Sequence, residues 1–157
     1  MITIHKATLD DGADIFALMK QFGSENIPGT TRIPDEEVRF ATFRKILENE
    51  ELGSILVARE DGEPLGVITL SYPVAIHCGG IYSCIEELIV SEKSRGKGVG
   101  GKLLEAALAE ADARGCYEIQ VNRPSELGYP VYLRHGWHDL GKHLLLRLPR
   151  QEKPVKE

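Results

Sequence analysis

Between Leu88 and Leu104 the chain reads Leu-Ile-Val-Ser-Glu-Lys-Ser-Arg-Gly-Lys-Gly-Val-Gly-Gly-Lys-Leu-Leu. An apolar run of strand type ends in a charged segment, and four glycines within six residues then lead into an amphipathic run. Glycines placed there let main-chain N–H groups close around an anion, and the N-terminus of the following helix adds the positive end of its dipole. Arg95, Lys97 and Lys102 put fixed positive charge beside the same nest. The ligand expected at this spacing carries phosphate.

Three phosphate-binding patterns overlap here. Gly96, Gly101 and Lys102 begin a P-loop, but Leu103 stands where Ser or Thr must hold magnesium, so that chemistry fails. Gly96, Gly98 and Gly101 spell the dinucleotide fingerprint, which should follow its strand at once; Ser91 to Arg95 intervene. The pattern [Arg/Gln]-x-x-Gly-x-[Gly/Ala] is filled by Arg95, Gly98 and Gly100. It resembles the pyrophosphate loop of the GNAT superfamily of N-acetyltransferases, which bind acetyl-coenzyme A. A glycine-rich turn without a ligand is the structural alternative.

The resemblance extends over nearly the whole chain and is strongest from Ile85 to Trp137. It implies that Leu88, Ile89 and Val90 lie against the pantetheine arm, and that Arg95, Gly96, Lys97, Gly98, Val99, Gly100 and Gly101 hold the pyrophosphate. In Val131-Tyr132-Leu133-Arg134-His135-Gly136-Trp137 it assigns Tyr132 the approach to the coenzyme sulfur, as a general acid. A phenol is neutral at pH 7 and can protonate a departing thiolate. The alternative is a core tyrosine. One departure stands out: seven residues before Tyr132 the family often has Asn, and here the residue is Ser125. Asn122, after the preceding strand, is the candidate substitute.

Glu86 and Glu87 precede the loop, where the family often carries its general base. An acceptor amine with a lysine-like pKa near ~10.4 is mostly protonated at neutral pH, so a proton must leave before attack. Strand alternation points the two carboxylates to opposite faces and leaves one able to reach the site, unless a bulge inverts the assignment. His77, Tyr82, Cys84 and Arg32 fall in regions that border the acceptor in the family. For His77 and Tyr82, cross-strand packing is the simpler reading. Cys84 as an acetyl carrier would need a base that the sequence does not place.

The rest of the chain narrows the class. At 157 residues one domain can bury a core without disulfides or metals. A net charge of −5, with basic residues concentrated near Arg95, argues against nucleic acid and suits a small polyanion bound locally. No run reaches the ~18 apolar residues of a membrane span, and the first residues do not read as a signal peptide. Cys78, Cys84 and Cys116 form no C-x-x-C pair, so reduced thiols in a cytoplasmic protein and no metal are expected.

The elements that must position these residues follow from periodicity. Ile2 to Thr8 alternates as a strand, and Asp10 or Asp11 can cap a helix whose stripe is Ile15, Leu18, Met19 and Phe22, ended by Gly23. A loop follows to Pro34, then a helix burying Phe40, Phe43, Ile46 and Leu47. Strands are expected at 54–60 and 66–72 around an Asp61-Gly62 turn, and at 81–90 after a Gly79-Gly80 turn. A helix over 100–114 is ended by Gly115, a strand follows at 117–121, a short helix begins near Pro130, and a last strand or hairpin spans 137–148. The fold class is α/β (mixed α+β): a GNAT-like mixed, mostly antiparallel central sheet with helices on both faces. Residues 1–150 form one domain and 151–157 a flexible charged tail.

The resemblance implies an N-acetyltransferase that moves acetyl from acetyl-coenzyme A directly to a primary amine. The acceptor, a small molecule or a peptide amine, stays open, as does the oligomeric state, dimers being common in the family. The alternative is a non-catalytic acyl-coenzyme A-binding or sensing domain on the same fold.

Overall fold

The computed structural model describes residues 1–21, 34–144 and 146. In chain order it contains β1 (Thr3–Lys6), α1 (Gly12–Lys20), α2 (Glu36–Glu48), β2 (Gly53–Glu60), β3 (Glu63–Ser71), β4 (Val74–Ala75), β5 (Gly80–Ile81), β6 (Ser83–Val90), α3 (Val99–Ala113), β7 (Ile119–Val121) and α4 (Tyr129–Arg134). Short 3-10 turns lie at Leu9–Asp11, Ile76–Cys78 and Glu92–Ser94. The loop expected over 23–34 (all but Pro34), the helix end at Phe22 and Gly23, Arg32 and the tail 151–157 lie outside the described residues.

The main sheet runs β1-β2-β3-β6-β7. Its first four strands pair antiparallel and β7 joins β6 in parallel. Alternation along β2 sorts the core into two layers. Ile55 and Val57 face α1 and α2, packing with Ile15, Phe16, Leu18 and Phe43. Leu56 and Ala58 face the other way, onto Leu103, Leu104 and Ala107 of α3 and Tyr132 of α4. Leu103 and Leu104 are fully buried, and each such side chain stabilises the fold by about 1.5–3 kcal/mol. α3 is thereby fixed to the sheet, with its N-terminus held beside the end of β6.

Two local expectations are corrected. Asp11 holds the N-cap position of α1, but its carboxylate makes no capping bond to that helix. It closes the preceding 3-10 turn instead: Thr8 caps Leu9–Asp11, and its N–H donates to Asp11 Oδ2 at 2.8 Å. The strand expected over 137–148 is absent from its described part. The Trp137 N–H donates to the Tyr132 carbonyl, folding the chain back on α4, and Gly141 N–H donates to Asp139 Oδ1 in a further turn. Leu140, Leu144 and Leu146 are exposed. Apolar content at 144–148 suggested a strand, but no ladder partner meets the described residues there.

Candidate active site

β6 and β7 form a fork. They pair only over Ser83↔Ile119, Cys84↔Gln120 and Ile85↔Val121 and then separate. On its other side β6 stays paired with β3 through Gly66↔Val90. Beyond Ile85, therefore, β6 presents one edge of main-chain N–H and C=O groups with no strand against it among the described residues. Such an edge can pair with an extended ligand.

A groove of about 1050 Å³ opens along this edge, with Leu88, Ile89 and Val90 in its wall. At one end it reaches the N-terminus of α3. Gly96 and Gly98 both have φ of +79°, a left-handed conformation that L side chains rarely adopt. Gly98 is the residue that caps α3, so the first N–H groups of the helix are turned toward the groove end. Arg95, Gly96, Gly98, Val99, Gly100 and Gly101 line it, with Lys102 adding charge. Lys97 is not part of the lining. Gly101 has a second constraint: a Cβ there would lie 2.9 Å from the His135 ring, so glycine also lets α3 approach α4.

At its other end the groove runs into a small cleft at the apex of the fork. The two share Leu88, Arg123, Pro124, Ser125 and Gly128. Ile85 and Val121, the last paired residues, form the floor, and Glu86 and Tyr132 also line the cleft. Tyr132 is 4% exposed and packs edge-on against Trp137 with ring centroids 5.0 Å apart. Its hydroxyl has no hydrogen-bond partner among the described residues. Burial, with a smaller contribution from Cys84, pushes its pKa up, so the phenol stays protonated across the working pH range.

The two carboxylates do not point to opposite faces. In the β3–β6 ladder Thr69 pairs with Glu87 and Leu70 with Ile85, so Glu86 is an extra, bulged residue. The bulge reverses the phase of the strand. Ile85 packs in the α3–α4 layer, whereas Ile89, four residues on, packs in the α1–α2 layer. Glu86 and Glu87 accordingly share the α1–α2 face. Ser71 Oγ donates to Glu86 Oε1 at 2.7 Å, and Thr69 Oγ1 donates to Glu87 Oε2. Glu86 is exposed and Glu87 partly buried. Desolvation pushes the Glu87 pKa up; the Thr69 hydroxyl opposes this and the Glu86 charge adds to it.

Of the remaining candidates, Ser125 lines the cleft, and Asn122 and Cys84 adjoin its floor. Asn122 turns its amide toward Cys84, 3.7 Å from Sγ, and does not line the groove, whose wall there runs from Arg123 to Gly128. Ser125, in the place where the family often has Asn, accepts the Gly128 N–H at 3.0 Å and so starts the turn into α4. Cys84 is buried, and desolvation with the neighbouring Glu86 pushes its thiol up to about 12. That thiol stays protonated near pH 7 and is a poor nucleophile. The His77 and Tyr82 rings pack across the β4–β5 hairpin, 6.5 Å apart. Among the described residues no three His, Cys, Asp or Glu side chains gather as a metal site, and no helix is long and apolar enough to cross a membrane. Thr69, Ser71 and Arg123 were not singled out from sequence. The signal for the first two was two hydroxyls at alternate positions of an otherwise apolar strand.

Residues 18–137 match the acetyltransferase (GNAT) family model. The chain is 30% identical over 154 residues to the uncharacterized N-acetyltransferase YhfO of Bacillus subtilis, covering 94% of this chain and 99% of that protein. A transcriptional regulator from Bacillus halodurans superposes with a TM-score of 0.80 at 20% identity, covering 94% of this chain and all of the other. A predicted acetyltransferase from Clostridium acetobutylicum, solved with acetyl-CoA, superposes with a TM-score of 0.78 at 23% identity, covering 96% and 98%.

Proposed function

The chain belongs to the acetyltransferase (GNAT) family, and from that premise we propose that it transfers an acetyl group from acetyl-coenzyme A to a primary amine by direct attack. The observation that carries this reading is the single continuous path from the glycine nest, along the unpaired edge of β6, to a cleft lined by Tyr132 and Glu86.

The residues fit the coenzyme chemically. The left-handed glycines and the α3 N-terminus would bind the pyrophosphate, with Arg95 and Lys102 supplying charge. The main-chain groups of Leu88 and Val90, which alternate onto the open edge while Ile89 turns its own toward β3, would pair with the amide-bearing pantetheine arm. The coenzyme supplies an activated thioester. The incoming amine must first be neutral, and Glu87 takes that proton, acting through water. Its raised pKa brings it closer to the range where a base works well at neutral pH. Glu86, at the exposed rim, draws the ammonium form of the acceptor inward. As the new C–N bond forms and the C–S bond breaks, Tyr132 Oη gives its proton to the departing sulfur and recovers one, through water, from the nitrogen, which sheds it to become the amide. Tyr132 lines the cleft, and its hydroxyl, with no competing partner among the described residues, is free to do so. Holding both reactants in one cleft supplies up to ~7–11 kcal/mol of the barrier reduction in favourable cases.

A non-catalytic acyl-coenzyme A sensor would need the nest and the β6 edge, but not Glu86 together in the cleft with a phenol that has no partner among the described residues. Incubation with acetyl-CoA and a panel of amines (amino acids, polyamines, aminoglycosides and peptides), with a thiol reagent as readout, separates the two. Release of coenzyme A thiol that depends on one class of amine is expected. Tight acetyl-CoA binding without thiol release across the panel would favour the sensor.

A further inference from the structure

Thr69 is 6% exposed, in a strand face otherwise carried by Val67 and packed with Ile89, Ile55 and Val57. Valine, with the same shape, would suit that face, so the hydroxyl needs its own reason. Its bonds supply one. The bulge at Glu86 takes β6 out of register, and the Glu87 N–H donates to Thr69 Oγ1 at 3.0 Å. That hydroxyl therefore accepts from the Glu87 main chain, which leaves its single hydrogen for the Glu87 carboxylate. An ionised carboxylate can only accept, so the hydrogen bond favours the charged form.

We propose that Thr69 is the positioning residue of the base: its hydroxyl pins the backbone and the carboxylate of Glu87 together, accepting from the one and donating to the other. This rests on Glu87 serving as the base. Ser71 makes the corresponding bond to Glu86, but at an exposed position where water can replace it.

The test uses the full chain with Thr69→Ser, Thr69→Cys and Thr69→Val, together with Glu87→Gln. The Glu87 carboxyl is followed by carbon-13 NMR titration, assigned by its disappearance in Glu87→Gln. This needs no acceptor. Once an acceptor is known, the acid limb of kcat/KM against pH is recorded as well. Loss of a hydrogen bond to a charged group should move the Glu87 midpoint up by about one pH unit in Thr69→Val. Thr69→Cys, a weaker donor, should fall between, and Thr69→Ser should stay at the wild-type value. One unit below the wild-type midpoint, Thr69→Val then loses roughly tenfold in kcat/KM, with KM for acetyl-CoA unchanged. If Thr69→Val does not fold, the order of Cys against Ser still reports the effect. An unshifted midpoint, or a uniform loss of rate at every pH, would show a purely structural threonine. Collapse of turnover in Glu87→Gln with no shift in the Thr69 series overturns this proposal alone. Wild-type turnover in Glu87→Gln overturns the base assignment and this proposal with it.

Discussion

Two polar clusters in this molecule are built from similar residues and treated in opposite ways. At the corner where β1 enters α1, the buried Asp11 carboxylate accepts from the Thr8 N–H at 2.8 Å, from Arg59 Nη2 at 2.8 Å and meets His5 Nε2 at 3.4 Å. Arg59 also donates to Asp14 at 2.7 Å and to the Gly62 carbonyl at 2.9 Å, tying the corner to the β2–β3 turn. Burial alone would raise the Asp11 pKa, but Thr8, Arg59 and His5 together hold it below its ordinary value of 3.8. At the fork of β6 and β7, by contrast, among the described residues no strand pairs with the β6 edge beyond Ile85 and no group bonds the Tyr132 hydroxyl, and burial pushes Glu87 up. Polar groups saturated by their own chain stabilise a fold, whereas buried groups left unsaturated are ready to receive a ligand.

Substitutions can break this contrast if it is wrong. The largest effect is expected for Glu87→Gln, a loss of about 10²–10⁴-fold in turnover. Stability should hold. A carboxyl whose folded pKa is raised binds its proton more tightly when folded, so it favours folding at low pH and that contribution fades as pH rises through the raised value. Near pH 8 the neutral glutamine therefore costs nothing, and the melting temperature should equal or exceed that of the wild type. A large drop in melting temperature would make Glu87 structural.

Arg59→Met should do the reverse, costing about 1.5–3 kcal/mol of stability in a urea titration while leaving kcat unchanged. The associated pH dependence has a definite sign. Because the folded pKa of Asp11 is depressed, its contribution is present above 3.8 and is lost as pH falls through the lower folded value. Melting temperature should thus decline below about pH 4, and less steeply in Asp11→Asn. A fall in turnover without loss of stability in Arg59→Met would erase the distinction between the clusters.

Gly98→Val sharpens the comparison at the other end of the groove. Open space surrounds a Cβ at this position, so the penalty comes from φ of +79° alone. Strain on the order of 1–3 kcal/mol must be met by reshaping the nest, and acetyl-CoA affinity measured by calorimetry should weaken about 10–100-fold. Unchanged affinity would make the loop a structural turn.

The smallest effect is expected for Tyr132→Phe. Turnover should fall by roughly tenfold, because a thiol of pKa near ~8.5 leaves tolerably without help. No hydrogen bond is lost, so the melting temperature should stay or rise slightly. Reduced stability with intact turnover would return Tyr132 to the core.

What could be read from the chain was local. The stripe of Leu103, Leu104, Ala107, Leu108 and Ala111, the Asp61-Gly62 and Gly79-Gly80 turns and the glycines before α3 each depend on neighbours within a few residues, and the structure contains all of them except that Leu108 is exposed. The pattern from Arg95 to Gly100 and the tyrosine at 132 were legible for the same reason, since their spacing is written in one segment. The orientation of Glu86 and Glu87 was not. Whether they share a face depends on one unmatched residue in the pairing of β3 with β6, across strands whose paired residues are 13 or more positions apart in sequence.

The hydroxyl support of the two carboxylates by Thr69 and Ser71 follows from that same register and was equally invisible. The Leu144 to Leu148 run misled because apolar content marks a strand only where a partner edge is within reach. Residue types and short-range spacing therefore determined the family, most of the elements and the left-handed glycine turn before α3. Tertiary structure alone decided the fork, the shared face of the carboxylates and the buried, unpartnered phenol. A shift of one residue in strand register turns every following side chain over, and register is set by contacts the linear chain does not contain.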